Sequence, residues 1–270
     1  MTGRSRCEQH LKGNSSGQIK YKTTERGQSA QKRKLPKNAE RKRTQRRESA
    51  SRVKWNYAKQ CARQRNSEWK LDFANYVLLV TQPCCYCGFL HTESGIGLDR
   101  LDNNIGYVVG NVVSCCNECN VVRNSNFTPT EMLVLGQVVA QIKHTRMNPT
   151  AHLDIKARQP IITECTKSNT RRRFWKSRET ASHRGLTWSI TREQYNDLVR
   201  QSCRYCGSVI KLKRGVGLDR LDNTQGYRLD NVVTCCPVCN TARNDHFSYQ
   251  EMLFLGQAVA AVKQTRGKAF

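Results

Sequence analysis

The sequence predicts an α+β protein: a disordered basic arm, then two tandem zinc-stapled units, each a strand, a turn-rich loop, a second strand and a helix. Three observations lead there. The string GLDRLDN at residues 97–103 returns unchanged at residues 217–223. Eight of the fourteen cysteines fall in Cys-x-x-Cys pairs. Charge is uneven, with 17 Lys/Arg against 4 Asp/Glu in residues 1–54, or +13 of a net +25 over 270 residues.

The arm, residues 1–52, is rich in Ser, Gln, Gly and Asn and nearly free of large apolar side chains. Such a segment cannot bury enough surface to offset its ordering entropy, so disorder is expected until a partner arrives. Lys32-Arg33-Lys34 and Arg41-Lys42-Arg43 with Arg46-Arg47 read as a two-part nuclear import signal or as a phosphate-binding tail. The overall charge favours a polyanion, with nucleic acid ahead of an acidic membrane surface. No run of apolar residues is long enough to span a bilayer, and no apolar signal-peptide core is visible at the N-terminus. The expected location is intracellular: the nucleus in a eukaryotic host, otherwise cytoplasm or nucleoid.

Sliding the sequence on itself aligns Trp69 with Trp188, Tyr76 with Tyr195, and Cys84-x-x-Cys87 with Cys203-x-x-Cys206, at an offset of 119. After one inserted residue the offset is 120, and Gly106-Tyr107, Asn111-Val112-Val113, CCxxCN, Arg123-Asn124, Phe127, EML and LGQ all recur. The first unit is placed at 53–146 and the second at 171–270, joined by a linker at 147–170. A pseudo-dimer within one chain follows, so the protein can be monomeric.

Each unit opens with an Arg-rich segment carrying Arg63 and Arg65, or Arg171, Arg172, Arg173 and Arg184, as nucleic-acid contacts. A helix follows, capped by Asp72 in the first unit and by the box Thr191-x-x-Gln194 in the second. Leu98 and Val112-Val113 mark two short strands around a turn-rich loop. A helix starts near the second Cys pair. A last helix opens on Thr128-Pro129-Thr130-Glu131 or Ser248-Tyr249-Gln250-Glu251. Its apolar residues, Met132, Leu135, Val139 and Ile142 or Met252, Leu255, Val259 and Val262, have core spacing.

Cys84, Cys87, Cys116 and Cys119 form one C-x2-C … C-x2-C frame, and Cys203, Cys206, Cys236 and Cys239 form another. Four thiolates complete a tetrahedral shell, so two structural Zn2+ ions are expected, with no open catalytic position. Cys85 has no counterpart, which selects Cys84, and Cys115 and Cys235 are spaced less well for a turn.

Between and just after the Cys pairs lie Asp99, Asp102, Asn111 and Asn120, repeated as Asp219, Asp222, Asn231 and Asn240. Such oxygen donors suit a hard divalent cation, Mg2+ first. The order Cys-x-x-Cys, Asp, Asn-Val, Cys-x-x-Cys-Asn and a basic residue resembles the HNH, or His-Me finger, nucleases, nearest their zinc-stapled, recombination endonuclease VII-like branch. The likeness covers about 50 residues per unit. It implies a ββα-metal finger in which Asp99 and Asp219 bind metal with Asn120 and Asn240. Asn111 and Asn231 then hold the site together, and Arg123 and Arg243 face phosphate. It also implies DNA cleavage leaving 3′-hydroxyl and 5′-phosphate ends.

The family's His position holds Arg100 and Arg220, and a guanidinium cannot act as a general base. Three readings stand. The base is another group, such as Asp102 and Asp222 or a metal-bound hydroxide, and Arg clamps the scissile phosphate. Alternatively the finger is catalytically dead and its Arg only binds phosphate. Or Asp99, Arg100 and Asp102 form a salt-bridged turn that braces the hairpin. His91, His183 and His246 supply no shared base, since their aligned positions differ. An HNH-type endonuclease with two sites is the preferred function. The rival is a non-catalytic DNA- or RNA-binding protein, for example a ribonucleoprotein component.

Overall fold

A computed structural model of the chain describes residues 37–90, 96–148, 150–156, 158–162, 167–210 and 217–266. Helix α1 spans Lys37–Gln64. Glu, Lys, Arg, Gln and Ala dominate it, and it contains neither Gly nor Pro. The expected arm therefore differs over residues 37–52, which are helical: low apolar content excludes a core, not a helix. Lys32-Arg33-Lys34 lie outside the described residues. From residue 52 onward α1 touches the body, with Trp55 edge-on to Phe73 at 5.9 Å and Ala62 buried.

Helix α2, Phe73–Val80, starts where Asp72 Oδ1 accepts from Asn75 N at 2.7 Å. Strands β1 (Gly97–Arg100) and β2 (Val112–Cys115) pair antiparallel, Gly97 opposite Cys115 and Arg100 opposite Val112. Helix α3, Asn117–Arg123, begins at the second Cys pair, and α4, Pro129–Met147, carries the Thr128/Glu131 capping box.

The elements recur in the same order. Helix α5 is Lys167–His183, starting inside the expected linker, and α6, Arg192–Val199, is capped by Thr191 and Gln194. Strands β3 (Gly217–Arg220) and β4 (Val232–Cys235) repeat the first register, and α7 (Pro237–Arg243) and α8 (Tyr249–Arg266) close the chain. Phe174, Ile190, Tyr195, Leu198, Val199 and Val232 form a core, with Trp188, Leu218 and Tyr227 packed on it. The segment before α5 is tied to its Cys turn: Arg158 Nη1 donates to Cys206 O at 3.1 Å, and Arg204 Nη1 donates to Arg158 O at 2.9 Å.

Contacts divide the chain into Met1–Asn117 and Glu118–Phe270, a cut inside α3 and not at residues 147–170. The reason is that α4 packs against α8, joining the last helices of both repeats in one unit. Met132, Leu135, Val139, Ile142, Met252, Leu255 and Val259 are fully buried there. The helix ends exchange reciprocal ion pairs. Arg146 grips Glu251 through Nε at 2.6 Å and Nη2 at 2.8 Å, and Arg266 grips Glu131 at 2.5 and 2.6 Å. Arg146 also lies over Phe247, as Arg266 lies over Phe127. Residue i meeting j while the equivalent of j meets the equivalent of i is the signature of a two-fold contact. No described helix is long and apolar enough to cross a membrane.

Candidate functional site

Each Cys-x-x-Cys turn closes on a glycine, Gly88 or Gly207, at φ 70°, a left-handed conformation that costs little only without a Cβ. The turn presents two thiols, and the strand-to-helix junction presents two more. Cys84, Cys87, Cys116 and Cys119 form one group and Cys203, Cys206, Cys236 and Cys239 the other, with sulfurs within 4.8 Å of one another. A Zn–S bond of about 2.3 Å puts tetrahedral sulfurs about 3.8 Å apart. The Cys87–Cys116 and Cys206–Cys236 separations are 3.7 and 3.8 Å. The residues therefore fit zinc, and the two four-cysteine groups can each hold one ion.

Cys115 and Cys235, the neighbouring thiols, are buried and donate to the carbonyls of Cys116 and Cys236 at 3.3 Å. Cys85 is disulfide-bonded and stands outside the four-cysteine group. Sequence reasoning missed Lys263. Its Nζ lies 3.1 Å from Cys206 Sγ, 3.4 Å from Cys236 Sγ and 3.2 Å from Ser208 Oγ. Burial alone would lower this ammonium's pKa, but the charge on Cys206, Cys236 and Cys239 holds it above its ordinary value.

The second repeat, which lies within one unit, holds a buried acid beside its cysteine frame. Asp219 sits in β3 and is 7% exposed. Its Oδ2 accepts the Tyr205 hydroxyl, and both its oxygens lie 3.0 Å from Arg243 Nη1. Arg243 also donates to the carbonyls of Arg220 at 2.6 Å and Leu221 at 2.8 Å. Burial raises the Asp219 carboxyl above its usual range although Tyr205 and Arg243 pull it down. Tyr205 is pushed well up by burial and by the charge of Asp219. In the first repeat Tyr86 donates to Asp99 Oδ2 at 2.6 Å. The Cys-x-Tyr-Cys spelling, common to both turns, was the available signal for this tyrosine.

Arg243 corrects the expectation of a phosphate-facing residue: it is 3% exposed, as is Arg123. Its guanidinium is spent on Asp219 and the strand end, because a buried carboxylate needs a paired cation. Arg63, Arg65, Arg171, Arg172 and Arg184 are exposed and Arg173 is half-buried.

Arg100 and Arg220 end the first hairpin strands and brace the loop. Arg100 Nη1 donates to the carbonyls of Asn103 at 3.0 Å and Ile105 at 3.1 Å, and Arg220 Nη1 to Asn223 at 2.8 Å and Gln225 at 2.5 Å. Each lies over a tyrosine ring, Tyr107 or Tyr227, at 5.2 or 5.4 Å. The bracing partners of Arg220 are thus backbone carbonyls, while the ion pair of Asp219 is with Arg243. Asn111 and Asn231 lace the same loops, accepting from Asp102 N or Asp222 N at 2.9 Å and donating to Gly106 O at 3.0 Å or Gly226 O at 2.9 Å.

Asp102 is exposed, and its Oδ1 accepts from Asn104 N at 2.8 Å. Hydrogen bonds from Thr224 hold the Asp222 carboxyl below its ordinary value. Asn120 and Asn240 are exposed on α3 and α7. His183 is exposed, 3.8 Å from Glu179, and His91 lies outside the described residues.

No family model matches the chain. It is 24% identical over 188 residues to an uncharacterized protein of Acanthamoeba polyphaga mimivirus, covering 70% of this chain and 33% of that one. It is 36% identical over 78 residues to an uncharacterized 29.0 kDa protein of Enterobacteria phage T4, covering 27% of this chain and 31% of that protein. The chain thus spans about a third of each relative's length. Among solved structures it is similar to the rare-cutting HNH restriction endonuclease PacI, at 22% identity and a TM-score of 0.33, over 36% of this chain and 81% of that one.

Proposed function

We propose that the chain is a metal-dependent endonuclease of the HNH type, cutting DNA phosphodiester bonds at two pseudo-equivalent sites. One observation carries this reading: both repeats end the first hairpin strand on an Asp–Arg pair, over a loop laced by the following Asn. An exposed Asn then stands on the next helix. A hard cation would be held by Asp219 and Asn240, and by Asp99 and Asn120. It would supply positive charge to the phosphate and the departing oxygen.

The chain's own residues do the rest. The two four-cysteine staples fix the hairpin to the helix. Tyr205 and Arg243 orient the Asp219 carboxylate. Arg100, half-buried where Arg220 is 8% exposed, keeps one nitrogen on the loop carbonyls, which leaves its other donors for a phosphate oxygen. Asp222, with its lowered pKa, is a weak proton acceptor.

A second reading is favoured by the burial and pairing of Asp219: Tyr205 and Arg243 take both acceptor sites of its Oδ2 and one on its Oδ1, which leaves a single site on Oδ1 for a cation. A nucleic-acid binder on a nuclease frame would keep that closed ion pair. Incubating zinc-loaded protein with supercoiled plasmid and Mg2+ or Mn2+ separates the two. Nicked and linear products are expected, and their loss in the Asp99→Ala, Asp219→Ala protein. Binding without any cutting by the natural protein would establish the binder instead.

A further inference from the structure

Among the described residues the first half of α1 has no helical counterpart in the second repeat, where residues 158–162 form no helix and the equivalent helix α5 is Lys167–His183. Side chains from residues 40 to 50 are all exposed. Between residues 40 and 54 there are seven cations, Arg41, Lys42, Arg43, Arg46, Arg47, Arg52 and Lys54, against Glu40 and Glu48. At about 100° per residue these cations spread over roughly two thirds of the helix circumference and not along one stripe, and Glu40 and Glu48 share the remaining third. This half offers no apolar face to a protein partner, and helices without tertiary packing are marginal in water. A helix cationic over two thirds of its circumference, with both acids on the remaining side, matches a groove flanked by phosphates on both sides and open on the third.

We propose that this half of α1 lies in the major groove of duplex DNA, as a docking element apart from either candidate cleavage site. An α-helix is about 10–12 Å across with its side chains, and the B-form major groove is about 12 Å wide, so the one admits the other. The major groove of duplex RNA is deep and narrow and does not admit side chains in this way. The helix therefore selects DNA over RNA by shape. Among the described residues it belongs to one repeat, which makes the binding surface asymmetric although the elements recur. The inference takes from the proposed function only that the partner is nucleic acid, and its test needs no cleavage.

The test uses the full chain without added Mg2+ and follows anisotropy of labelled duplex DNA and duplex RNA of one sequence across a salt series. Replacing Arg41, Lys42, Arg43, Arg46 and Arg47 together by Gln keeps helix propensity. It should flatten the slope of log affinity against log salt on DNA by about 0.9 for each cation that reached phosphate, with a smaller change on RNA. Thr44→Pro keeps every charge and breaks the helix. It should weaken DNA binding by roughly tenfold and leave RNA binding nearly unchanged. Equal binding by Thr44→Pro and natural protein would make the segment a charged tail and overturn the groove assignment. Equal losses on RNA and DNA would overturn the DNA preference. Binding of neither duplex would sink this inference and the proposed function together, whereas tight binding with an unchanged slope sinks this inference alone.

Discussion

The two repeats share one four-cysteine frame but treat an equivalent lysine differently. In the second, Lys263 sits against Cys206 and Cys236. In the first, Lys143 lies 3.3 Å from Glu118, one residue before Cys119, where the second repeat has Val238. Four thiolates on Zn2+ leave a net charge of −2, which a nearby ammonium partly offsets. Lys263 serves the sulfurs of its centre, while Lys143 has a carboxylate partner. Duplication has kept the ligands and hairpin register identical while the charges around them drift. Metal geometry tolerates no change of ligand, whereas its electrostatic surroundings do.

The largest effect should come from breaking the shared frame itself. Free energy of zinc binding at such sites is folding free energy, on the order of 10 kcal/mol. Cys236→Ser should lower zinc from two ions to one per chain and unfold β3–β4 and its core, while Cys116→Ser should do the same to the first hairpin. Elemental analysis with thermal melts reads both. Two zincs retained in either variant would contradict the assignment of ligands.

How much was readable beforehand follows from the kind of signal. The caps at Asp72, Thr128 and Thr191, the paired strands and the apolar spacing of α4 and α8 are local patterns, and a sequence displays local patterns directly. Arg243 misled because a basic residue reads as surface, and only the register of β3 against α7 reveals that it faces Asp219. The α4–α8 joint leaves only a repetition in the sequence: Arg146 and Arg266, Glu131 and Glu251 recur at one offset. Nothing local says that each pairs across the repeat. Helix α1 was hidden by reading a lack of apolar residues as a lack of structure.

That joint gives a smaller and pH-dependent comparison. The Arg266 hydrogen bonds hold the Glu131 carboxyl down at about 2. Burial opposes the same effect at Glu251, but Arg146 still holds it below its ordinary value. A depressed carboxyl contributes stability that is complete above its unfolded pKa and is lost as pH falls through the folded one. The joint should therefore weaken between about pH 4.5 and pH 2. Both pairs are partly exposed, so each should contribute about 0.5–1 kcal/mol after solvent screening. Arg266→Gln should remove that acid dependence at Glu131, read as a flatter melting temperature against pH. Arg146→Gln should do the same at Glu251 and also release Glu118, 3.8 Å away. Charge exchange, Arg266→Glu with Glu131→Arg, should restore most of the loss, and failure to restore it would make the pairs incidental to the α4–α8 packing.

The smallest expected effect concerns the lysine difference. A hydrogen bond from Lys263 to a ligand sulfur withdraws electron density that an alkylating reagent would attack. Replacing it with an uncharged side chain of similar length removes the bond and little volume. Lys263→Met should leave two zincs per chain and speed alkylation of Cys206 and Cys236 by roughly three- to tenfold, the equivalent of one hydrogen bond of about 0.7–1.4 kcal/mol. Cys203 and Cys239, which Lys263 does not hydrogen-bond in this structure, should react at nearly unchanged rates, and peptide mapping resolves the four. A general loosening of the fold would instead speed all four alike. Lys263→Arg should bring the rates back towards those of the natural protein. Val238→Glu then carries the comparison to its end: it places in the second repeat the acid of the first, and should draw Lys263 away and raise the reactivity of Cys206 and Cys236 part of the way that Lys263→Met does.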